Sequence, residues 1–248
     1  MSPGAFLACA VIGFVAGVIN VLAAGGSFLT LPLLLFLGLP ASVANGTNRV
    51  GIMTQNIAAA FGFHRYRVLD WRWALVVSMP AFIGTAIGVW AALRVPDIAF
   101  RRILSLVMLA TALGTLLRRS VTSTTESVPR SPWHWTMALG FFVVGLYGGF
   151  LQAGVGFLTL AITSIAGLDL VRGNAVKVFT TSLLTLFSVA VFAGTGNIHW
   201  PAGLALGVGN LAGGLMGVRL AVLRGHKWVE GVVTATVILF AVMLWIGE

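Results

Sequence analysis

Long apolar runs follow one another along this chain with few polar residues between them. A helix needs about 20 apolar residues to cross a bilayer, and most of the runs have that length. Only 8% of the residues are charged, against about 25% in soluble domains, so a water-soluble or disordered chain is excluded. The sequence predicts an all-α polytopic membrane protein. Its ten apolar runs lie at about 3–22, 28–39, 43–63, 73–93, 99–117, 133–151, 156–168, 174–195, 200–222 and 229–247.

The two halves of the chain resemble each other. A shift of 129 residues without a gap places the FLTL at 28–31 on the FLTL at 157–160. Matched residues of less common types make an internal duplication the best interpretation. The same shift pairs Asn45 with Asn174, Trp71 with Trp200, and Gly84 with Gly213.

Each half contains five apolar runs, and the second run of each is too short to cross a bilayer as an ordinary helix. We expect membrane repeats at 1–119 and 133–248, joined by a cytoplasmic linker at 120–132. In each repeat, segments 1 and 2 form a glycine-broken hairpin and three spanning helices follow. The net number of crossings per repeat is then odd, so the repeats are inverted in the membrane. Inverted repeats with broken helices are typical of secondary transporters.

The net charge of +9 is best explained by topology. Basic residues lie mainly in the connections between apolar runs, and no nucleic-acid-binding motif accompanies them, so we expect no nucleic acid partner. With the linker in the cytoplasm, ten basic residues fall inside and three outside, as the positive-inside rule requires. The first basic residue is Arg49, so the first run is interpreted as a retained span rather than a signal peptide.

A glycine-rich break precedes each short segment and is the first candidate site. Glycine lets the backbone leave helical geometry and approach a ligand closely. A helix that restarts after a break offers free N–H groups and a partial positive charge, so two restarts facing each other would bind an anion. The alternative is that the glycines only let helices pack closely. The candidate residues are Gly25, Gly26 and Ser27 in the first half, and Gly154 and Gly156 in the second.

The third segment of each half carries a polar stripe at helical spacing, which is the second candidate. A cation at mid-membrane costs at least about 2.5–3.5 kcal/mol, so it is retained for a partner or a substrate. Apart from Glu230, at the very start of the last run, no apolar run contains a carboxylate to pair with it. The alternative is that these cations snorkel to the interface. The candidate substrate ligands are Asn45, Asn48, Arg49, Gln152, Asn174 and Lys177.

The scarcity of interior acids favours an anionic substrate over a cation. The single cysteine, Cys9, excludes an intrachain disulfide. No metal-binding, cofactor or catalytic motif is found, so we expect neither a cofactor nor an enzyme. The sequence is compatible with a carrier and with a channel-like facilitative anion pore. It does not fix the oligomeric state, and a homo-oligomer is possible.

Several motifs together resemble the sulfite exporter TauE/SafE family over essentially the whole chain. They are the glycine-rich turn followed by FLTLP at 25–32, the ANGTNR at 44–49, and the GVG at 154–156 with the NAVK at 174–177. The resemblance implies a multi-pass permease of the bacterial inner membrane that exports a small sulfur-containing anion, such as sulfite, sulfoacetate or another organosulfonate. We expect the anion to bind between the two glycine-broken hairpins, where Arg49 and Lys177 neutralise it.

Overall fold

The computed structural model describes residues 1–23, 25–65, 67–117 and 131–224. Within these ranges the chain is all-helical, as predicted, with nine α-helices and no strand. Most of the predicted linker and the tenth apolar run, 229–247, lie outside the described residues. The helices are α1 (Pro3–Ala23), α2 (Ser27–Phe36), α3 (Ala41–Arg65), α4 (Trp71–Ala92), α5 (Asp97–Leu117), α6 (Trp135–Phe150), α7 (Val155–Ile165), α8 (Leu170–Gly194) and α9 (Trp200–Arg224).

Four of the described helices, α1, α4, α8 and α9, are long and apolar enough to cross a membrane. Helix α3 is also long, with 25 residues, or about 37 Å at 1.5 Å per residue. It is less apolar because its buried face carries amide side chains and Arg49. A polar helix of this kind is stable in a bilayer when its polar face is turned into the protein.

The two short segments predicted from the run lengths are present as α2 and α7. They contain 10 and 11 residues and are therefore only about 15–17 Å long, roughly half of the 30 Å hydrocarbon core. Each follows its preceding helix after a few residues. The pairs α1–α2 and α6–α7 are therefore the ones predicted as broken hairpins, and the name is kept for them below.

Two close helix pairs join the halves of the chain, because α1 packs on α9 and α4 packs on α6. Glycine permits this approach. A Cβ at Gly84 would overlap the carbonyl oxygen of Phe142, and one at Gly213 would overlap that of Phe14. Small residues let transmembrane backbones come this close where no hydrophobic effect drives association.

Helices α3 and α8 lie side by side and antiparallel at the centre. Gly46, near the start of α3, contacts the Phe192 side chain near the end of α8. At the other end, Phe63 of α3 clusters with Ala175 and Val178 of α8. The polar faces of the two helices therefore lie inside the protein.

The aspartates in the described part of the chain stabilise helix starts. Asp70 and Asp169 accept backbone N–H groups at the beginning of α4 and α8, as capping residues do. The Asp97 carboxylate instead reaches another helix and accepts the Ala41 N–H at 3.0 Å, at the start of α3. Among the described residues, no acid side chain lies in the interior of a helix bundle.

Candidate functional site

The two hairpin breaks differ in backbone structure. In the first, a Cβ at Gly26 would overlap the carbonyl oxygen of Ala16 on α1, so only glycine fits there. In the second, Gln152 and Gly154 both have a left-handed backbone, with φ of 63° and 75°. The Tyr147 hydroxyl donates to the carbonyl oxygen of Ala153 and holds this turn against the end of α6.

The two breaks lie next to each other. The ring of Phe28, the second residue of α2, packs so closely on Gly154 that a Cβ there would lie 2.5 Å from its Cζ atom. Phe28 is fully buried. The start of α2 therefore rests directly on the turn that precedes α7, and the two helix starts share one neighbourhood.

A small cavity lies between the broken hairpins and the central helices. Its volume is about 20 Å³, enough for a single water molecule, since about 10–15 Å³ suffices. Both short helices contribute residues of their first turns to its wall. The lining residues are Asn20, Ser27, Ile52, Gln55, Asn56, Gln152, Val155, Gly156, Lys177 and Thr181.

Lys177 is the only charged residue among those lining this cavity. Its side chain is 4% exposed, and its ammonium group donates to the carbonyl oxygen of Asn20 at 3.0 Å. In the part of the chain that the structure describes, no carboxylate pairs with it. An ammonium has three donors, so it retains capacity to bind an anion.

A chain of amide hydrogen bonds forms one wall of the cavity. Asn20 donates to the Gln55 side-chain oxygen at 2.9 Å, and Gln55 donates to that of Asn56 at 3.3 Å. Asn56 then donates to the Thr181 hydroxyl at 3.2 Å. This chain connects α1, α3 and α8, and it places neutral polar groups around Lys177.

Arg49 lies next to the cavity and outside its wall. Its side chain is 0% exposed. The guanidinium donates to the side-chain oxygen of Gln152 at 2.7 Å and to the backbone carbonyl of Gly149. It also lies 5.0 Å from the centre of the Phe192 ring, within the range of a cation–π contact. Arg49 thus faces the second hairpin, and Gln152 connects it to the cavity.

Gln152 is held at both ends of its side-chain amide. Its oxygen accepts from Arg49, and its nitrogen donates to the Thr185 hydroxyl at 2.7 Å. The residue therefore links α3 and α8 through the second break. Its side chain reaches the cavity from a fixed position.

Most of the other predicted residues surround the site without lining the cavity. Asn45 donates to the Phe150 carbonyl at 2.8 Å, and Asn48 accepts from the Thr30 hydroxyl. The side-chain oxygens of Asn45 and Asn174 are buried without a hydrogen-bond partner. Gly25, Gly26 and Gly154 shape the breaks, whereas Ser27 and Gly156 reach the cavity itself.

Four polar residues that were not predicted as substrate ligands also line the cavity. A signal for two of them exists in the sequence, because Gln55 and Asn56 continue the helical spacing of Asn45 and Arg49 along α3. Thr181 likewise follows Lys177 by one turn. Asn20 gives no such signal, since it is a lone polar residue in an apolar run. The added lining residues are Asn20, Gln55, Asn56 and Thr181.

The described residues contain no group of three or more histidine, cysteine, aspartate or glutamate side chains that could hold a metal ion. The cavity chemistry is one ammonium group, several amides, hydroxyl groups and two helix starts. Groups of these types can bind and orient an anion by charge and hydrogen bonds.

Comparison with known proteins gives one family and several transporters. The sequence model of the family described as "Sulfite exporter TauE/SafE" matches residues 9–244. A "Probable membrane transporter protein" of Haemophilus influenzae is 27% identical over 223 residues, which cover 90% of this chain and 87% of the relative. "Probable membrane transporter protein ORF9" of Sinorhizobium sp is 26% identical over 94% of this chain and 90% of its own length. "Probable membrane transporter protein YfcA" of Escherichia coli K12 is 27% identical over 94% of this chain and 85% of its own length. No solved structure matches the chain.

Proposed function

We propose that this chain, which belongs to the sulfite exporter TauE/SafE family, exports a small sulfur-containing anion by alternating access. It is a multi-pass protein of the bacterial inner membrane, and its relatives are named as transporters rather than enzymes. The substrates that we propose are sulfite, sulfoacetate or another organosulfonate. The anion binds between the two broken hairpins.

One observation carries this proposal: a single cavity is lined by Lys177 and by the first turns of both short helices, and no carboxylate lines it. The first N–H groups of a helix have no partner within the helix and carry a partial positive charge. Ser27 begins α2, and Gly156 is the second residue of α7. Together these groups favour a negative charge at one point in the membrane.

The lining of the cavity supports a two-fold arrangement of inverted repeats. Ser27 and Gly156 are separated by the 129-residue interval of the repeat, and so are Ile52 and Thr181. All four line the same cavity. The antiparallel course of α3 and α8, which are the third helices of the two repeats, is the one that inversion requires. A shared site at the repeat interface is typical of secondary transporters.

The size of the cavity favours a carrier over an open pore. A space of about 20 Å³ holds one water molecule, and sulfite has four heavy atoms. Substrate entry therefore requires the repeats to move relative to each other. In this scheme Asn45 and Asn174 contact the anion on its way in or out, since they lie nearer the ends of α3 and α8 than the cavity does.

The predicted roles of the two cations differ in this scheme. Lys177 and Gln152 contact the anion directly, because both line the cavity. Arg49 contributes its positive charge from behind Gln152, to which it is bonded. Both cations thus neutralise the substrate, one by contact and the other at a distance.

Anion flux in proteoliposomes tests the proposal. Purified protein is reconstituted, and the efflux of sulfite, thiosulfate, sulfoacetate and methanesulfonate is measured for the unmodified chain and for Lys177→Met. A matched control is Arg94→Met, because Arg94 is an exposed cation that lies against Trp90 at the end of α4. We expect saturable efflux of at least one anion, its loss in Lys177→Met and its retention in Arg94→Met.

Two outcomes would contradict this proposal. Unchanged efflux in Lys177→Met would show that the cavity beside Lys177 does not lie on the transport route. Ohmic currents in a planar bilayer, without saturation or counterflow, would favour the channel-like facilitative pore instead.

A further inference from the structure

Each buried cation reaches a backbone carbonyl at the end of the first hairpin helix in the opposite half. Lys177 donates to the carbonyl oxygen of Asn20, in the last turn of α1. Arg49 donates to the carbonyl oxygen of Gly149, in the last turn of α6. Asn20 and Gly149 are 129 residues apart, which is the repeat interval, so the two carbonyls are equivalent positions.

The two cations themselves are not equivalent in sequence. The ungapped alignment of the halves pairs Lys177 with Asn48 and leaves Arg49 opposite Val178. Their side chains nevertheless end at matching carbonyl oxygens. The feature shared by the two halves is therefore a cation at this carbonyl, supplied by different residues from neighbouring positions.

The carbonyl groups of a last helical turn lack partners within the helix and carry a partial negative charge. In transporters with discontinuous helices, such helix ends and unwound carbonyls coordinate the coupling sodium ion, while the restarting helix binds the anionic substrate. Here the side chains of Lys177 and Arg49 occupy these carbonyls at the ends of α1 and α6. In the described residues, neither cation has a carboxylate partner that would neutralise it.

We propose that Arg49 and Lys177 act as tethered counter-cations. They occupy the two carbonyl positions at which a coupling metal cation would otherwise bind, and so make the site selective for anions without a bound metal ion. The negative helix ends are masked, whereas Ser27 and Gly156, in the first turns of α2 and α7, line the cavity. The transport consequence rests on the function proposed above, but occupancy of the carbonyl positions does not.

Chemical rescue with a small cation tests the occupancy directly and needs no substrate. The full-length Lys177→Ala protein is purified in detergent, and its Tm is measured in methylammonium chloride and in choline chloride at equal ionic strength. Methylammonium fits where the lysine ammonium was, whereas choline is too large. We expect methylammonium to raise the Tm of Lys177→Ala by about 2–4 °C, with no rise in the unmodified protein or in Arg94→Ala.

The Arg49→Ala variant provides a second, independent test, with methylguanidinium in place of methylammonium. If either variant is recovered unfolded, the monodisperse fraction obtained when the matching cation is present throughout purification becomes the readout. We expect several-fold more folded protein with the matching cation than with choline.

The proposal is overturned if both variants respond to the small cations as the unmodified protein does, in Tm and in folded yield. That result would leave the transport proposal standing, because transport is tested by efflux. Loss of efflux in Lys177→Met together with no chemical rescue would assign Lys177 to the substrate alone.

Discussion

The guanidinium of Arg49 donates to the side-chain oxygen of Gln152 at 2.7 Å. One residue belongs to the first half of the chain and the other to the second. Gln152 has a left-handed backbone and lines the cavity, so a fully buried cation in one half fixes a side chain that the other half presents to the cavity. The chemistry of the site therefore depends on both halves.

Replacing this amide by a carboxylate should separate folding from anion binding. In Gln152→Glu the new carboxylate forms a charge-assisted pair with Arg49, so we expect the Tm to be unchanged or higher. The added negative charge in the cavity opposes an anion, and we expect efflux to fall at least about tenfold, or about 1.4 kcal/mol. Asn197→Asp, in the loop before α9, adds the same charge away from the cavity and is the control. Equal efflux in the two variants would contradict the placement of the site.

The close packing of α4 on α6 predicts a steric effect on stability. In Gly84→Ala the new Cβ overlaps the carbonyl oxygen of Phe142, and overpacking costs about 1–3 kcal/mol. Gly194→Ala is the matched control, since nothing lies within 4 Å of a Cβ at that position. That change should be neutral or stabilising by up to about 1 kcal/mol. Thermal unfolding in detergent compares the two variants. Equal stability of both would contradict a close contact between α4 and α6 at Gly84.

Cysteine accessibility tests the inverted topology. In a Cys9→Ala background, single cysteines are placed within 122–125 and at Asn197. A membrane-impermeant thiol reagent applied to intact cells should label the cysteine at 197, on the periplasmic side, and leave the linker cysteine unlabelled until the cells are opened. Labelling of both positions from the same side would exclude inverted repeats.

Transport should be independent of sodium. Arg49 and Lys177 occupy the carbonyls of Gly149 and Asn20, so neither of these two positions is left for a coupling metal cation. Sodium is replaced by choline on both sides of the proteoliposome membrane. We expect the initial efflux rate to stay within about twofold of the rate in sodium, well below the tenfold change that corresponds to about 1.4 kcal/mol. A steep dependence on sodium would show that a metal cation binds elsewhere in the site.

Much of the architecture follows from the sequence by simple physical rules. Run length predicts that α2 and α7 are too short to cross the bilayer, and the glycines at 25, 26, 154 and 156 indicate where each hairpin breaks. Helical spacing indicates the polar face of α3. These features are predictable because they depend on local composition and period alone.

The division of roles within the site could not be predicted in this way. Arg49 and Lys177 are both single cations in apolar segments, and sequence alone gives no reason to place one in the cavity wall and the other behind Gln152. The direction of a long side chain depends on which helices pack beside it. The left-handed backbone of Gln152 is equally hidden, because residues other than glycine rarely adopt it.

The central claim is that the cavity beside Lys177 binds a sulfur-containing anion. Isothermal titration of the purified protein with sulfite, thiosulfate, sulfoacetate and methanesulfonate measures this binding without reconstitution. We predict saturable binding of at least one of these anions, at least about tenfold weaker in Lys177→Met and unchanged in Arg94→Met. Absence of binding for the whole panel, or equal affinity in Lys177→Met and the unmodified protein, would contradict the account.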